Sequence, residues 1–209
     1  MVLALDTCLA ACQAAVADGG RVLASRSEPM QRGHQERLAT MVREVMAEAG
    51  VGFSEIDRIA VTTGPGSFTG LRVGLAFAKG LRLALDAPIV GIGVLEALAA
   101  SAGSSGPVAA AIDARRGQVY LQLFQSGEAL CPPDVLPLED SGALIRLLAP
   151  RDATLVGPGA RLLGAAGARV VDAEVPDIAA IAALGAAGEP TSELRPLYLR
   201  APDAKPSAT

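Results

Sequence analysis

Tryptophan is absent, and aromatic residues make up only 3% of the 209 positions. Half the chain (51%) is nevertheless apolar. A core must therefore be built from Ala, Val, Leu and Ile, with backbones in close approach. There is a single histidine, His34. With one histidine and three sparse cysteines no zinc site is expected, and no Ser-His-Asp or Cys-His system exists that does not run through His34. The three cysteines are Cys8, Cys12 and Cys131. The first two stand as Cys-x3-Cys with no second pair, which reads as reduced structural thiols in a cytoplasmic protein. Basic runs are scarce as well. The net charge is −4, and Arg115-Arg116 is a short cluster rather than a run. A chain that grips nucleic acid alone shows a basic face, so the charge argues against this chain being the main clamp on an RNA. Long apolar runs are also missing. The longest candidate, Phe68 to Leu85, is broken by Arg72, Lys79 and Arg82 and cannot span a membrane. Met1 leads straight into Val2–Asp6 without a charged leader, so no secretory signal is read.

What is present is strongly patterned. Val2–Leu5, Cys12–Ala17 and Arg21–Ser25 read as three strands, the last two joined by the hairpin signal Asp18-Gly19-Gly20. From His34 to Ala49, Leu38, Met41, Val42, Val45 and Met46 recur in steps of three and four, and Gly50 is placed to end that helix. A strand at Ile59–Thr62, a helix from Thr69 to Leu85, a strand at Ile89–Ile92 and a helix at Val94–Ala102 follow. The first hundred residues thus read βββαβαβα. Gly103-Ser104-Ser105-Gly106-Pro107 marks the internal boundary. Residues 1–102 are expected as one lobe and 107–200 as a smaller second lobe, with 201–209 a disordered tail. In the second lobe, Val108–Asp113 and Gln118–Phe124 predict a hairpin around Ala114-Arg115-Arg116-Gly117. Helix is expected around Leu144–Leu148, at Ala160–Ala166 and at Ala179–Gly188, with a strand at Thr154–Val156.

Three features are candidates for chemistry. The glycine turn Gly64-Pro65-Gly66-Ser67-Phe68-Thr69-Gly70 joins a strand to a helix, where amide groups can hold an anion. It lacks the Gly-Lys-Ser/Thr of a Walker loop and the G-x-G-x-x-G spacing, and a tight turn without ligand is the competing reading. Gly70, Gly74 and Ala78 form a stripe of small residues that permits close helix approach, either inside the lobe or to a partner. Asp6 and Asp113 follow strands, where a carboxylate serves as metal ligand, base or turn residue, the last being favoured. His34 reads as a capping or surface residue.

Leu3-Ala4-Leu5-Asp6-Thr7, the long segment Thr63 to Gly74, Asp113-Ala114-Arg115-Arg116-Gly117-Gln118-Val119-Tyr120 and Pro196-Leu197-Tyr198-Leu199-Arg200 together closely resemble the bacterial TsaB (YeaZ) family, in order and over nearly the whole chain. The resemblance implies an α/β actin-like, Hsp70-like fold of two lobes with mixed sheets flanked by helices. It also implies a non-catalytic subunit of the machinery that makes threonylcarbamoyladenosine in tRNA. That subunit pairs with its metal-bearing catalytic relative TsaD, is joined by the ATPase TsaE, and reaches tRNA only through the complex. A homodimer is the candidate state when the chain is alone. The helix at Val94–Ala102 has no histidine where the catalytic relative has two, so no metal and no catalytic residues are expected. Nor is a tightly bound cofactor expected; a nucleotide at the complex interface is the candidate ligand. Its candidate contacts are Asp6, Thr7, Gly64, Gly66, Ser67 and Thr69. The partner face is expected on helices 34–49 and 69–85, through His34, Leu38, Met41, Val45, Gly70, Gly74, Phe77, Ala78 and Leu81. The rival reading is a stand-alone phosphotransferase or peptidase-like enzyme of the same fold. The single histidine counts against the peptidase. The kinase needs a second phosphate loop, of which Gly157-Pro158-Gly159 is the best remnant.

Overall fold

A computed structural model describes residues 1–149, 153–164 and 168–200. The chain opens with a meander of β1 (Val2–Asp6), β2 (Ala11–Asp18) and β3 (Arg21–Pro29). Gly19 and Gly20 both take positive φ in the β2–β3 turn, as a two-residue hairpin requires. Helix α1 (His34–Ala49), strand β4 (Arg58–Thr62), helix α2 (Phe68–Leu85), strand β5 (Ile89–Ile92) and helix α3 (Val94–Ser101) complete the βββαβαβα order. The sheet runs β3-β2-β1-β4-β5, antiparallel within the meander and parallel from β1 through β5. Gly50 ends α1 in the left-handed conformation, its N–H bonded to the carbonyls of Ala47 and Met46.

Alternation along the strands divides the core into two unequal layers. Leu3, Leu5, Val16, Ile59 and Val61 share one cluster with Leu38, Met41, Val45, Leu71 and Leu75 of α1 and α2. Val2, Ala4, Ala15, Ala17 and Ala60 form the other cluster with Ile178, Ile181 and Ala182. The small residues of this second layer let a helix lie close: Gly185 sits directly on the Cβ of Ala60. Here the alanine-rich composition has its physical use.

The second lobe carries β6 (Val108–Arg115), β7 (Gln118–Gln125), β8 (Glu128–Ala129), β9 (Asp134–Pro137), α4 (Leu138–Leu148), β10 (Thr154–Val156) and β11 (Val170–Val171). Its sheet runs β11-β10-β6-β7-β8, with β9 also pairing with β7. Both lobes therefore pair an antiparallel hairpin with following parallel strands. The short β8 and β9 lie beside Pro132-Pro133 and carry no readable alternation. The expected helix at 160–166 is a 3-10 turn over Ala160–Leu163, and residues 165–167 lie outside the described residues. The expected disordered tail, 201–209, lies outside them too.

Helix α5 (Ile178–Ala187) corrects the division of the chain at 102/107. It packs on β1, β4 and β2 of the first sheet, not on the second lobe. Its near-uniform Ala/Ile sequence shows no face that sequence periodicity could assign to either sheet. Buried Gln13 on β2 donates to the carbonyl of Pro176 at 3.0 Å, tying the entry of this helix to the first lobe.

Candidate functional site

The geometry of the glycine turn is explained by packing against the β1–β2 turn. Asp6 is fully buried. Its Oδ1 accepts from the Thr62 hydroxyl at 2.6 Å and the Cys8 amide at 3.0 Å, and its Oδ2 accepts from Gln13 Nε2 at 3.1 Å. Thr7 is also buried, and its hydroxyl donates to the Gly70 carbonyl at 2.7 Å. The Ser67 amide donates to the Cys8 carbonyl at 2.7 Å. Gly66 lies on that same carbonyl, and Gly70 on the carbonyl of Thr7. The Ser67 amide and the glycines at 66 and 70 are thus taken up by contacts with the protein's own backbone.

This overturns part of the sequence expectation. Asp6, Thr7 and Gly64 are buried and engaged internally, so they are not surface contacts for a nucleotide. Gly64 instead takes φ 107° and packs against Leu71 and the backbone of Leu197. Gly66 is half-buried; Ser67 and Thr69 are exposed. Ser67 caps α2 by accepting from the Gly70 amide at 3.3 Å. Gly157-Pro158-Gly159 is built alike: Gly157 has φ 102°, Gly159 lies on the backbone of Ile112 and Asp113, and its amide donates to the Ala111 carbonyl. Asp113 is a turn residue, accepting from the Arg115 amide at 2.7 Å.

Between the lobes lies a cavity of about 730 Å³. Pro65–Phe68 wall it on one side and Ile112–Arg115 on the other, and Leu197–Arg200 run along its edge. The last segment belongs to a strap that crosses the first lobe after α5. Thr191 donates to the Ile89 carbonyl and Leu197 to the Thr63 carbonyl. The Arg72 guanidinium lies 3.8 Å over the Phe68 ring and donates to the Tyr198 hydroxyl at 3.0 Å, while the two rings stand 5.4 Å apart. Arg200 reaches across to the Ala114 carbonyl at 2.7 Å. Pro196–Arg200 stands out in the sequence as a motif without a legible role, because its partners are distant: Ala114 lies 86 residues upstream of Arg200 and Arg72 lies 126 upstream of Tyr198.

The expected partner face is corrected as well. Leu38, Met41 and Val45 face the core, and Gly70, Gly74 and Ala78 turn inward, Gly74 against the Thr7 side chain. Phe77 and Leu81 are half-buried. His34 is buried rather than a surface cap, and its Nε2 has no hydrogen-bond partner among the described residues. The outward face of α2 is carried by Phe68, Arg72, Ala76, Lys79 and Leu83, all exposed. Leu83 is 88% exposed. Helical phase could have found this stripe, since a face opposite Gly70, Gly74 and Ala78 must point away from the sheet.

Burial sets the chemistry of two thiols. It pushes Cys8 well above the ordinary thiol range and Cys12 up to about 11. Arg37 bonds Glu28 and Glu44 at 2.6 Å each and holds both carboxyls below their usual range. Among the described residues, no three His, Cys, Asp or Glu side chains converge as a metal site requires, and no helix is long and apolar enough to cross a membrane.

These two lobes, with their mixed sheets flanked by helices, define an α/β actin-like fold. Residues 22–131 match the family model described as TsaD, tRNA N6-adenosine threonylcarbamoyltransferase. The structure called YeaZ from Pseudomonas aeruginosa superposes with a TM-score of 0.81 at 33% identity, covering 95% of this chain and 99% of that one. The tRNA threonylcarbamoyladenosine biosynthesis protein TsaB of Escherichia coli is 38% identical over 130 residues, 61% of this chain and 56% of that protein. The chain thus spans about half the length of that curated relative. An uncharacterized protein of Mycobacterium tuberculosis is 33% identical over 99% of this chain and 95% of its own length. The chain belongs to the TsaB (YeaZ) family.

Proposed function

We propose that the chain is a non-catalytic subunit in the synthesis of threonylcarbamoyladenosine in tRNA, acting by docking onto a catalytic TsaD-type relative. The biosynthetic role rests on the names of its relatives and on the family model matched by residues 22–131. The observation that carries the docking is the outward face of the α1–α2 layer. A leucine 88% exposed on a long helix that also carries half-buried Val73, Phe77 and Leu81 on another face is apolar surface that a partner would cover. A related partner brings a similar helix layer, and such a pairing can supply the roughly 1,600 Å² of a stable interface. A non-catalytic role is supported by Asp6, whose oxygens are occupied by protein donors and closed to solvent. In this reading TsaE joins the pair, tRNA is reached through the partner, and a homodimer forms only when the partner is absent. A nucleotide held at the complex boundary would meet the exposed Ser67 and Thr69.

The test is reconstitution with the catalytic subunit. Modified tRNA should form only when both chains are present. The isolated chain should turn over ATP negligibly, and Leu83→Glu should remove both binding and modification while the fold persists. Full modification by the catalytic subunit together with Leu83→Glu, or steady ATP hydrolysis by this chain alone, would sink the reading.

A further inference from the structure

The chain crosses between the two lobes twice, and the crossings lie side by side. Residues 102–107 lead from α3 into β6, and residues 172–177 return from β11 to α5. The Asp177 amide donates to the Ser101 hydroxyl at 2.9 Å, which joins the end of α3 to the start of α5. Two adjacent crossings make a hinge, about which a two-lobed protein opens and closes its cleft.

Two sets of contacts oppose that movement. The first lies beside the hinge, where Leu95 and Leu98 of α3 share a buried cluster with Val108, Ile112 and Val156 of the second lobe. The second lies at the rim of the cavity and is made by the strap, residues 189–200. The strap is fixed to the first lobe along its length. The Thr191 hydroxyl accepts from the Gly91 amide at 2.9 Å, and buried Leu194 lies against Gly91. The Leu197 amide donates to the Thr63 carbonyl at 2.8 Å, and its own carbonyl lies against Gly64. Arg200 then leaves the first lobe, and its Nη1 donates to the Ala114 carbonyl at 2.7 Å. Both Ala114 and Arg200 line the cavity. Ala114 stands about 20 Å along β6 from Val108, which adjoins the hinge. A tie so far from the pivot resists rotation with more leverage than a contact beside it.

We propose that the strap and Arg200 form a latch that holds the lobes at one fixed opening, so that the cavity does not close as a working cleft does. The chain then meets any other molecule as one rigid body. The latch is a property of the isolated chain and stands whether or not the docking reading holds.

The experiment measures an interlobe distance in the isolated full chain. Partly exposed Cys131 on the second lobe takes one spin label, and Arg32→Cys, at an exposed position on the first lobe, takes the other; Cys8 and Cys12 are buried. Double electron–electron resonance should give one narrow distribution, unmoved by magnesium and ATP. Arg200→Met, its fold checked by thermal melting, should broaden that distribution about twofold as the hinge is freed. Hydrogen exchange should find the Leu197 amide still protected in Arg200→Met, because the strap keeps its anchors on the first lobe. A broad distribution in the parent, or a shift on adding ATP, overturns the proposal even if Arg200→Met does not fold. So does an Arg200→Met distribution identical to the parent's, since α3 alone would then fix the lobes. Loss of protection at Leu197 overturns it too, because Arg200 would then anchor the strap rather than tie the lobes.

Discussion

The Thr7 hydroxyl donates to the carbonyl of Gly70, and Gly70 lies with its α-carbon against the carbonyl of Thr7. This reciprocal contact places the most distinctive glycines of the sequence inside the lobe. They let α2 descend onto the β1–β2 turn, and the helix must then present its opposite face to the outside.

Substituting the glycines of α2 separates the two faces. A methyl group at 70 meets a backbone carbonyl that has no room to retreat, so Gly70→Ala should lower unfolding stability by about 1–3 kcal/mol. Gly80 has nothing within 4 Å of a would-be Cβ. Gly80→Ala should therefore gain about 0.5–1 kcal/mol from helix propensity and reduced freedom of the unfolded chain. Urea titrations of both variants check this. Equal midpoints for the two would contradict the packing.

Thiol reactivity should follow burial. Cys8 and Cys12 are buried with raised pKa values, whereas Cys131 is partly exposed. A thiol reagent at neutral pH should label Cys131 alone in the folded protein and all three cysteines in denaturant. Mass spectrometry of the native reaction should find the label on a single peptide; rapid labelling of Cys12 would show that the β2 layer opens.

Acid should loosen α1 from β3. Arg37 holds the Glu28 and Glu44 carboxyls below their ordinary values, so these groups stabilise the folded state at neutral pH. Their contribution is complete above the unfolded carboxylate pKa and is lost as pH falls through the depressed folded values. Arg37→Met should lower stability at pH 7 and flatten its dependence on pH in the acid range. Parallel curves for parent and variant between neutral pH and pH 3 would show that the clasp contributes nothing.

Much of the fold was legible because period and punctuation agreed. Alternation in β1, the helical steps of α1 and the glycines at 19, 20 and 50 each have one local solution. What was not legible depends on pairs distant in sequence. Gly70 and Gly74 are small for either an internal or an external neighbour, and only the placement of Thr7 decides between them. Helix α5 is small on every side, so its position on the first sheet follows from Gly185 fitting Ala60, 125 residues away. Tyr198 became part of a surface only through Arg72 and Phe68. At the glycine turn the small residues face inward, and nothing in the local sequence distinguishes that from an outward cradle for an anion.

Asp6 offers the sharpest division between structure and chemistry. Here it accepts from Cys8, Thr62 and Gln13 and is 0% exposed. Asp6→Asn keeps the shape but presents an amide to three donors, so at least one buried donor loses its partner. Hydrogen bonds to a charged group contribute about 1.5–3 kcal/mol each, and the variant should lose stability on that scale. Gln13→Ala should lose stability too, and the double variant should lose less than the sum of the two, because the residues share a bond. The functional expectation is equally definite. At a temperature where Asp6→Asn remains folded, it should bind the catalytic subunit and support tRNA modification like the parent. Loss of modification in a folded, partner-bound Asp6→Asn protein would show that this carboxylate takes part in the reaction, and the non-catalytic reading would have to be abandoned.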